Sequence, residues 1–214
     1  MQDTFKHKGM RRQLVNELRE KGVKDERILE AFNSIPRHFF LDLVFEQQAY
    51  SNQAFQIGAG QTISHPYTVA FQTDLLEVEK GDKILEIGTG SGFQTCILCE
   101  LGAKVFSIER QRELFMKAKK IVEHFNFNPR LVYGDGYKGM PNFAPFDKII
   151  ITCGAPDVPQ SLVEQLKTGG IMVIPVGEGK DQVMLKITKL ENEDVDIQEF
   201  GTFSFVPMLE NKVK

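Results

Sequence analysis

The stretch Lys83-Ile84-Leu85-Glu86-Ile87-Gly88-Thr89-Gly90-Ser91-Gly92-Phe93 decides the fold. A short apolar run enters three glycines at alternate positions, and Phe93 to Leu101 then has the character of a helix. Strand, glycine turn and helix in that order form the first part of a βαβ unit, which pairs its strands in parallel. The alternation continues downstream. Lys104 to Ile108 predicts a strand, Gln111 to about Phe125 a helix, Arg130 to Tyr133 a third strand and Lys148 to Thr152 a fourth. Pro159 to Leu166 predicts a helix, and Gly169-Gly170 leads into a strand from Ile171 to Val176. Val183 to Leu190 and Ile197 to Val206 have only an acidic turn between them, so they are expected as an antiparallel hairpin at one edge. The predicted class is α/β, with a doubly wound, mostly parallel sheet and an antiparallel C-terminal edge hairpin.

Upstream of Gly81 the chain has a different character. Leu14, Val15 and Leu18 share one face of a helix predicted over about Gly9 to Lys21, stopped by Gly22. Asp25 is placed to cap a second helix carrying Ile28, Leu29 and Phe32, which ends before Pro36. Gln48 to Ser64 lacks periodicity and is expected as a long ordered loop. Pro66 then opens a helix bearing Tyr67, Phe71, Leu75 and Val78. The expected organisation is a single domain, 1–214, in which 1–80 form a helical and loop extension and 81–214 the α/β core.

Composition excludes several classes. Of the 214 residues, 42% are hydrophobic and 26% charged, the balance of a packed domain and not of a disordered chain. No run approaches the ~18 apolar residues of a membrane span. Met1 to Val15 carries no apolar leader segment, and three cysteines are too few for a disulfide scaffold, so a reducing cytoplasm is the expected setting. A net charge of −3 disfavours broad contact with nucleic acid, and a monomer without membrane partners is expected.

In open parallel sheets, ligands bind beyond the carboxyl ends of the strands. Gly88, Gly90 and Gly92 lie at the first such end, with Ser91 between the last two. Glu109 stands at the second, where an acid can accept from ribose hydroxyls. Gly134-Asp135-Gly136 ends the third and could meet an adenine amino group. Phe93 occupies the position where a dinucleotide fingerprint needs its third glycine, and no Gly-Lys-Ser/Thr follows, so a phosphate-free nucleoside suits the set better than NAD or a nucleotide triphosphate. Plainer roles stay open: each glycine as a tight turn, Glu109 as a solvated acid before a helix, Asp135 as a turn residue. Ser64 precedes His65-Pro66 as a helix cap would, and no nucleophile elbow surrounds it. His7, His38 and His124 show no metal-ligand spacing, Cys96 and Cys99 lie within one helix, and Cys153 is expected as a small core residue; no metal is expected.

Leu85-Glu86-Ile87-Gly88-Thr89-Gly90-Ser91-Gly92 resembles the cofactor loop of S-adenosylmethionine-dependent methyltransferases. Within that Rossmann-like class, Gly60-Gln61-Thr62-Ile63-Ser64-His65-Pro66 resembles the signature of the protein-L-isoaspartate O-methyltransferases. Ile35-Pro36-Arg37-His38-Phe39, Gly134-Asp135-Gly136, Leu166-Lys167-Thr168-Gly169-Gly170 and Phe205-Val206-Pro207 fall where that family has matching features, while Ser204 stands where bacterial members often carry arginine.

The resemblance implies methyl transfer from S-adenosyl-L-methionine to the α-carboxylate of L-isoaspartyl residues in damaged proteins and peptides. It implies Ser64 as the active-site residue, with Gln61, Thr62, Ile63 and Ser64 lining the cofactor site. The same resemblance places Glu86, Gly88, Gly90, Ser91, Gly92, Glu109, Asp135 and Gly136 against the cofactor, and Ser64 and Val206 against the substrate. The rival readings are a methyltransferase for another acceptor and a non-catalytic nucleoside-binding module. Thr152-Cys153-Gly154-Ala155-Pro156 lacks the Asn-Pro-Pro-aromatic segment expected for adenine amino groups.

Overall fold

The structure is a computed structural model that describes residues 2–213, so Met1 and Lys214, the ends of the expected span, lie outside it. Helix α1 (Phe5–Glu20) begins four residues before the expected Gly9. The reason is a reciprocal cap: Thr4 Oγ1 accepts from the His7 amide at 3.3 Å, and His7 Nδ1 accepts from the Thr4 amide at 3.2 Å. Histidine takes the place that Glu or Gln usually fills in such a box. Helix α2 (Glu26–Ser34) starts where Asp25 accepts from the Arg27 amide at 2.8 Å.

Two 3₁₀ turns follow, Arg37–Phe40 and Leu43–Gln48. The expected long loop then proves to hold a small antiparallel hairpin, β1 (Phe55–Gly58) and β2 (Gln61–Ile63). Its turn places Ala59 at φ +51° and Gly60 at φ +67°, and the pairing register shifts between Gln56 and Gly58. Strands of four and three residues are too short for a periodicity reading to separate from a loop. Helix α3 (Pro66–Leu76) follows.

The core alternates as expected: β3 (Lys83–Ile87), α4 (Phe93–Glu100), β4 (Lys104–Glu109), α5 (Arg112–His124), β5 (Arg130–Tyr133), β6 (Phe146–Ile151), α6 (Gln160–Glu164), β7 (Leu166–Val176), β8 (Gln182–Lys189) and β9 (Val195–Phe203). The strands order as β5-β4-β3-β6-β7-β8-β9, parallel from β5 to β7, with β8 and β9 antiparallel at the edge. The chain winds outward from β3 through β4 to β5, then returns to the other side of β3 with β6. Loops leave the carboxyl ends of β3 and β6 in opposite directions there, opening a crevice.

Two boundaries differ from expectation at this edge. α6 stops at Glu164 and β7 begins at Leu166, because Leu166 already pairs with Phe146 across a register shift that Gly169-Gly170 absorbs. β9 ends at Phe203, and residues 204–208 leave the sheet. They are pinned by the Gly154 amide donating to the Val206 carbonyl (2.8 Å) and the Met208 amide donating to the Gly154 carbonyl (2.7 Å). Among the described residues, no helix is long and apolar enough to cross a membrane.

The N-terminal helices and 3₁₀ turns share one apolar cluster with the helices flanking the sheet. Leu18, Phe32 and Phe40 join Phe93, Ile97, Leu114 and Val122. Phe93 takes the edges of Phe32 and Phe40 at centroid distances of 5.5 and 5.3 Å. Burying each such side chain contributes about 1.5–3 kcal/mol, so this cluster fixes the extension against the crevice.

Candidate active site

The crevice is laced together by backbone amides. β3 ends at Ile87, and Gly88 turns with φ +97° so that a Cβ there would lie 2.6 Å from Thr152 Oγ1. The Thr152 hydroxyl is shared between the carbonyls of Ile87 (3.0 Å) and Gly88 (2.7 Å), tying the end of β6 to the end of β3. At the end of β4, Glu109 accepts from the Gly90 amide at 2.8 Å through Oε2 and from the Gln111 amide at 2.7 Å through Oε1. One carboxylate thus shapes both the glycine loop and the approach to α5, and each oxygen keeps lone-pair capacity for a ligand. Burial pushes its pKa up, against those amide bonds, which lower it. Beyond β5, Gly136 sits where a Cβ would come within 2.5 Å of Ile87 Cγ2, so only glycine fits.

These elements wall a cavity. Gln61, Thr62, Ile63 and Ser64 line one side; Gly88, Gly90 and Ser91 form the glycine-loop side; Glu109, Gly136 and Val206 close the rest. Three of the residues expected against the cofactor do not line it. Glu86 points into the core, fully buried, where the Thr95 hydroxyl donates to Oε2 at 2.5 Å. Burial pushes its pKa up to about 7, and Oε1 has no partner among the described residues. Gly92 lies against Ala118 and Val122 of α5, where its φ of +86° lets α4 start. Asp135 caps the turn Gly136–Lys138 by accepting from the Tyr137 amide (3.0 Å) and holds the Asn211 amide (3.1 Å), the turn role left open above.

The cavity also recruits residues that the sequence reading passed over: Val69 and Gln72 of α3, Phe93 and Gln94 of α4, then Thr152, Cys153 and Met208. Helical i, i+3 spacing just after Ser64 was a signal for Val69 and Gln72, and the end of the fourth strand was one for Thr152. Cys153 is accordingly a wall residue and not plain core; burial pushes its thiol up to about 12, so it stays protonated. Arg110 is the cation on the lining, and its guanidinium is bound to the carbonyls of Asn211 (3.0 Å) and Glu210 (3.1 Å). An acid and a tied-back arginine suit a phosphate-free nucleoside and offer little to a pyrophosphate.

A smaller cavity adjoins the first and shares Thr62, Ser64, Thr152 and Val206 with it. Its remaining lining is Ala54, His65, Thr68, Ser204 and Phe205, with no carboxylate or ammonium among them. Ser64 therefore stands on the wall between the two spaces. Its hydroxyl has no hydrogen-bond partner among the described residues, while its carbonyl accepts from Arg37 Nη2 at 2.9 Å. His65 takes the N-cap position of α3 without a side-chain bond, so the helix-cap role considered for Ser64 is not the one observed. Burial and the charge of Arg37 hold the His65 pKa below its usual value, leaving the ring neutral at pH 7.

Away from the crevice, the fold gathers three groups that sequence spacing kept apart: Asp3, His7 and His38. Their atoms are already engaged. Asp3 takes both Arg11 Nη atoms at 3.0 Å, His7 Nε2 meets Glu46 at 3.2 Å, and His38 Nδ1 meets the Tyr50 hydroxyl at 2.7 Å. The two imidazoles stack at 3.9 Å beside a guanidinium, a setting hostile to a further cation.

Comparison with known proteins identifies the family. Residues 9–213 match the family model described as protein-L-isoaspartate(D-aspartate) O-methyltransferase. The protein-L-isoaspartate O-methyltransferase of Christiangramia forsetii is 56% identical over 213 residues, covering 99% of this chain and all of that protein. That of Flavobacterium psychrophilum is 57% identical over the same length, with 99% and 100% coverage. A solved protein-L-isoaspartate O-methyltransferase superposes with a TM-score of 0.85 at 29% identity, over 94% of this chain and 66% of that longer one. The Plasmodium falciparum structure, a complex with S-adenosyl-L-homocysteine, superposes with a TM-score of 0.80 over 93% of this chain and 98% of that one, and at 21% identity speaks for the fold. The chain belongs to the protein-L-isoaspartate(D-aspartate) O-methyltransferase family, enzymes that use S-adenosyl-L-methionine as methyl donor.

Proposed function

We propose that the larger cavity holds S-adenosyl-L-methionine and the smaller one the isoaspartyl carboxylate, with Ser64 orienting the two across their shared wall. The observation that carries this reading is the pair of cavities meeting at Thr62, Ser64, Thr152 and Val206. When bound, the donor supplies an electrophilic sulfonium methyl group. The chain's own task is placement. A carboxylate acceptor is already ionised at neutral pH, so no general base is required, and none is built at the wall. His65 is neutral and Thr152 spends its proton on two carbonyls, so Thr62 and Ser64 are the shared-wall residues whose hydroxyls have no partner among the described residues, and the resemblance to the family assigns the role to Ser64. Glu109 and Gly136 hold the nucleoside end, and the apolar wall of Phe93 and Met208 keeps water out. In-line placement of this kind is worth ~7–11 kcal/mol of barrier at its best.

The acceptors are isoaspartyl sites in proteins and peptides, and the two segments 1–80 and 81–214 work as one catalytic unit. A reducing cytoplasm is the setting that the three free thiols support, and the chain acts there as a monomer. The test is methyl-labelled S-adenosyl-L-methionine offered with peptides that differ only in isoaspartyl or aspartyl linkage. Base-labile label is expected on the isoaspartyl peptide alone; equal or absent incorporation would remove the reading.

A further inference from the structure

Arg37 is 1% exposed, yet it pairs with no carboxylate among the described residues. Burying an unpaired guanidinium is expensive, and burial lowers its pKa to about 9. Stability alone would favour an apolar side chain here. What the arginine does instead is grip three carbonyls from separate turns of the chain. Nε donates to Ala49 at 3.0 Å, and Nη2 donates to Gln53 at 3.1 Å and to Ser64 at 2.9 Å. Its plane lies over Phe93, 5.1 Å from the ring centroid, and Phe93 lines the larger cavity. Nη1 has no partner among the described residues.

We propose that Arg37 is a positioning residue for methyl transfer: its planar fork fixes the Ser64 backbone against the Phe93 wall and so holds the Ser64 hydroxyl between donor and acceptor. This rests on the Ser64 role proposed above. Segment 49–64 has only the short β1–β2 hairpin as regular structure; Phe55, Ile57 and Ile63 anchor it in the core and Asn52 Oδ1 accepts from the Tyr67 amide at 2.9 Å, while Arg37 supplies the side-chain bond to the Ser64 carbonyl itself. A lysine has three donors on a flexible stem and cannot reproduce a rigid fork that spans three carbonyls. Arg37 also sits beside His65 electrostatically, which keeps a second positive charge from forming at the wall.

The test is a double-mutant cycle of Arg37→Lys and Ser64→Ala, read as kcat on an isoaspartyl peptide and as Kd for S-adenosyl-L-homocysteine by calorimetry. Arg37→Lys is expected to lower kcat 10- to 100-fold, to change the Kd less than three-fold, and to have almost no further effect in the Ser64→Ala background. Arg37→Met is expected to be worse than Arg37→Lys in kcat. If Ser64→Ala lowers kcat but the two losses multiply, Arg37 does not act through Ser64 and the proposal falls. Should the Arg37→Lys Kd and thermal midpoint collapse together with kcat, the role is structural only, which also overturns it. Wild-type kcat in Ser64→Ala would instead sink the Ser64 role. Where either Arg37 variant fails to melt cooperatively, arginine-labelled wild type decides. The Arg37 Nε resonance should shift on adding isoaspartyl peptide and not its aspartyl counterpart, and an unmoved resonance overturns the proposal.

Discussion

The two sides of the catalytic crevice are built in different ways. The proposed cofactor side hangs from the carboxyl ends of paired strands: Glu109 pairs with Tyr133 at the end of β4, the Gly88 amide donates to the Ile108 carbonyl at 2.9 Å, and Gly136 follows Gly134, whose amide donates to the Glu109 carbonyl at 2.9 Å. The proposed acceptor side has the two-stranded β1–β2 hairpin, held by buried Arg37, by Asn52 and by the core packing of Phe55 and Ile63, and a C-terminal segment, 204–208, tied back to Gly154. A sheet places its loops through many cooperative bonds, while the acceptor wall depends on a few long-range ones. Substitutions on the first side should thus disturb binding and stability together, and on the second mainly turnover.

The largest effect expected on this contrast is at Ser64. Ser64→Ala should lower kcat by about 100-fold or more, roughly 3 kcal/mol of transition-state stabilisation, with cofactor Kd and thermal midpoint nearly unchanged. Steady-state and calorimetric measurements check it, and a parallel loss of cofactor affinity would erase the difference between the two sides. Gly88→Ala is the opposite case. A Cβ at φ +97° and 2.6 Å from Thr152 Oγ1 should cost about 2–3 kcal/mol of stability and weaken cofactor binding with it, as seen by denaturant melts and calorimetry.

Glu86 tests the floor under the cofactor side. Its folded pKa, about 7, lies above the 4.5 of an unfolded chain, so the native state binds the extra proton between those values. Stability from this group is therefore present below pH 4.5 and is lost as pH rises through 7. Glu86→Gln should flatten that fall, gaining about 2 kcal/mol relative to wild type between pH 5 and pH 8 in urea melts. An identical pH slope in both proteins would show that the buried carboxyl is already compensated.

Glu109→Gln replaces one of two amide-accepting oxygens by a donor facing an amide. Cofactor affinity should fall about ten-fold, near 1.4 kcal/mol, by calorimetry. The smallest effect sits furthest from the crevice. Burial holds His38 below its ordinary 6.5, so the unfolded chain takes up the proton first and stability declines as pH drops below that value. Melts of His38→Gln below pH 6.5 should show a shallower decline than wild type.

Legibility in the sequence follows the same division. The β3–glycine loop–α4 unit, Glu109 and the parallel alternation could be read from residue order, because a strand and the turn leaving it are local. The Gln61-Thr62-Ile63-Ser64 wall was legible only through resemblance to the family. The β1–β2 hairpin escaped a periodicity reading because its strands run only four and three residues. Glu86 and Asp135 were expected against the cofactor, yet one turns into the core and the other caps a turn, since adjacent strand residues face opposite sides and a single bond decides a loop acid's direction. Cys153, Gln72 and Met208 reach the cavity from distant parts of the chain.

The sequence by itself determined the order of strands and helices from Gly81 onward, the glycine turn after β3, and the acid at the end of β4. These depend on propensity, glycine conformation and spacing within one βαβ unit. Only the tertiary structure decided that Ser64 stands on the wall between two cavities, that residues 204–208 fold back over Gly154, and that Arg37 grips Ala49, Gln53 and Ser64 at once. Each of these joins residues far apart in the chain, and no local pattern records which carbonyl a buried side chain will find once the core has closed around it.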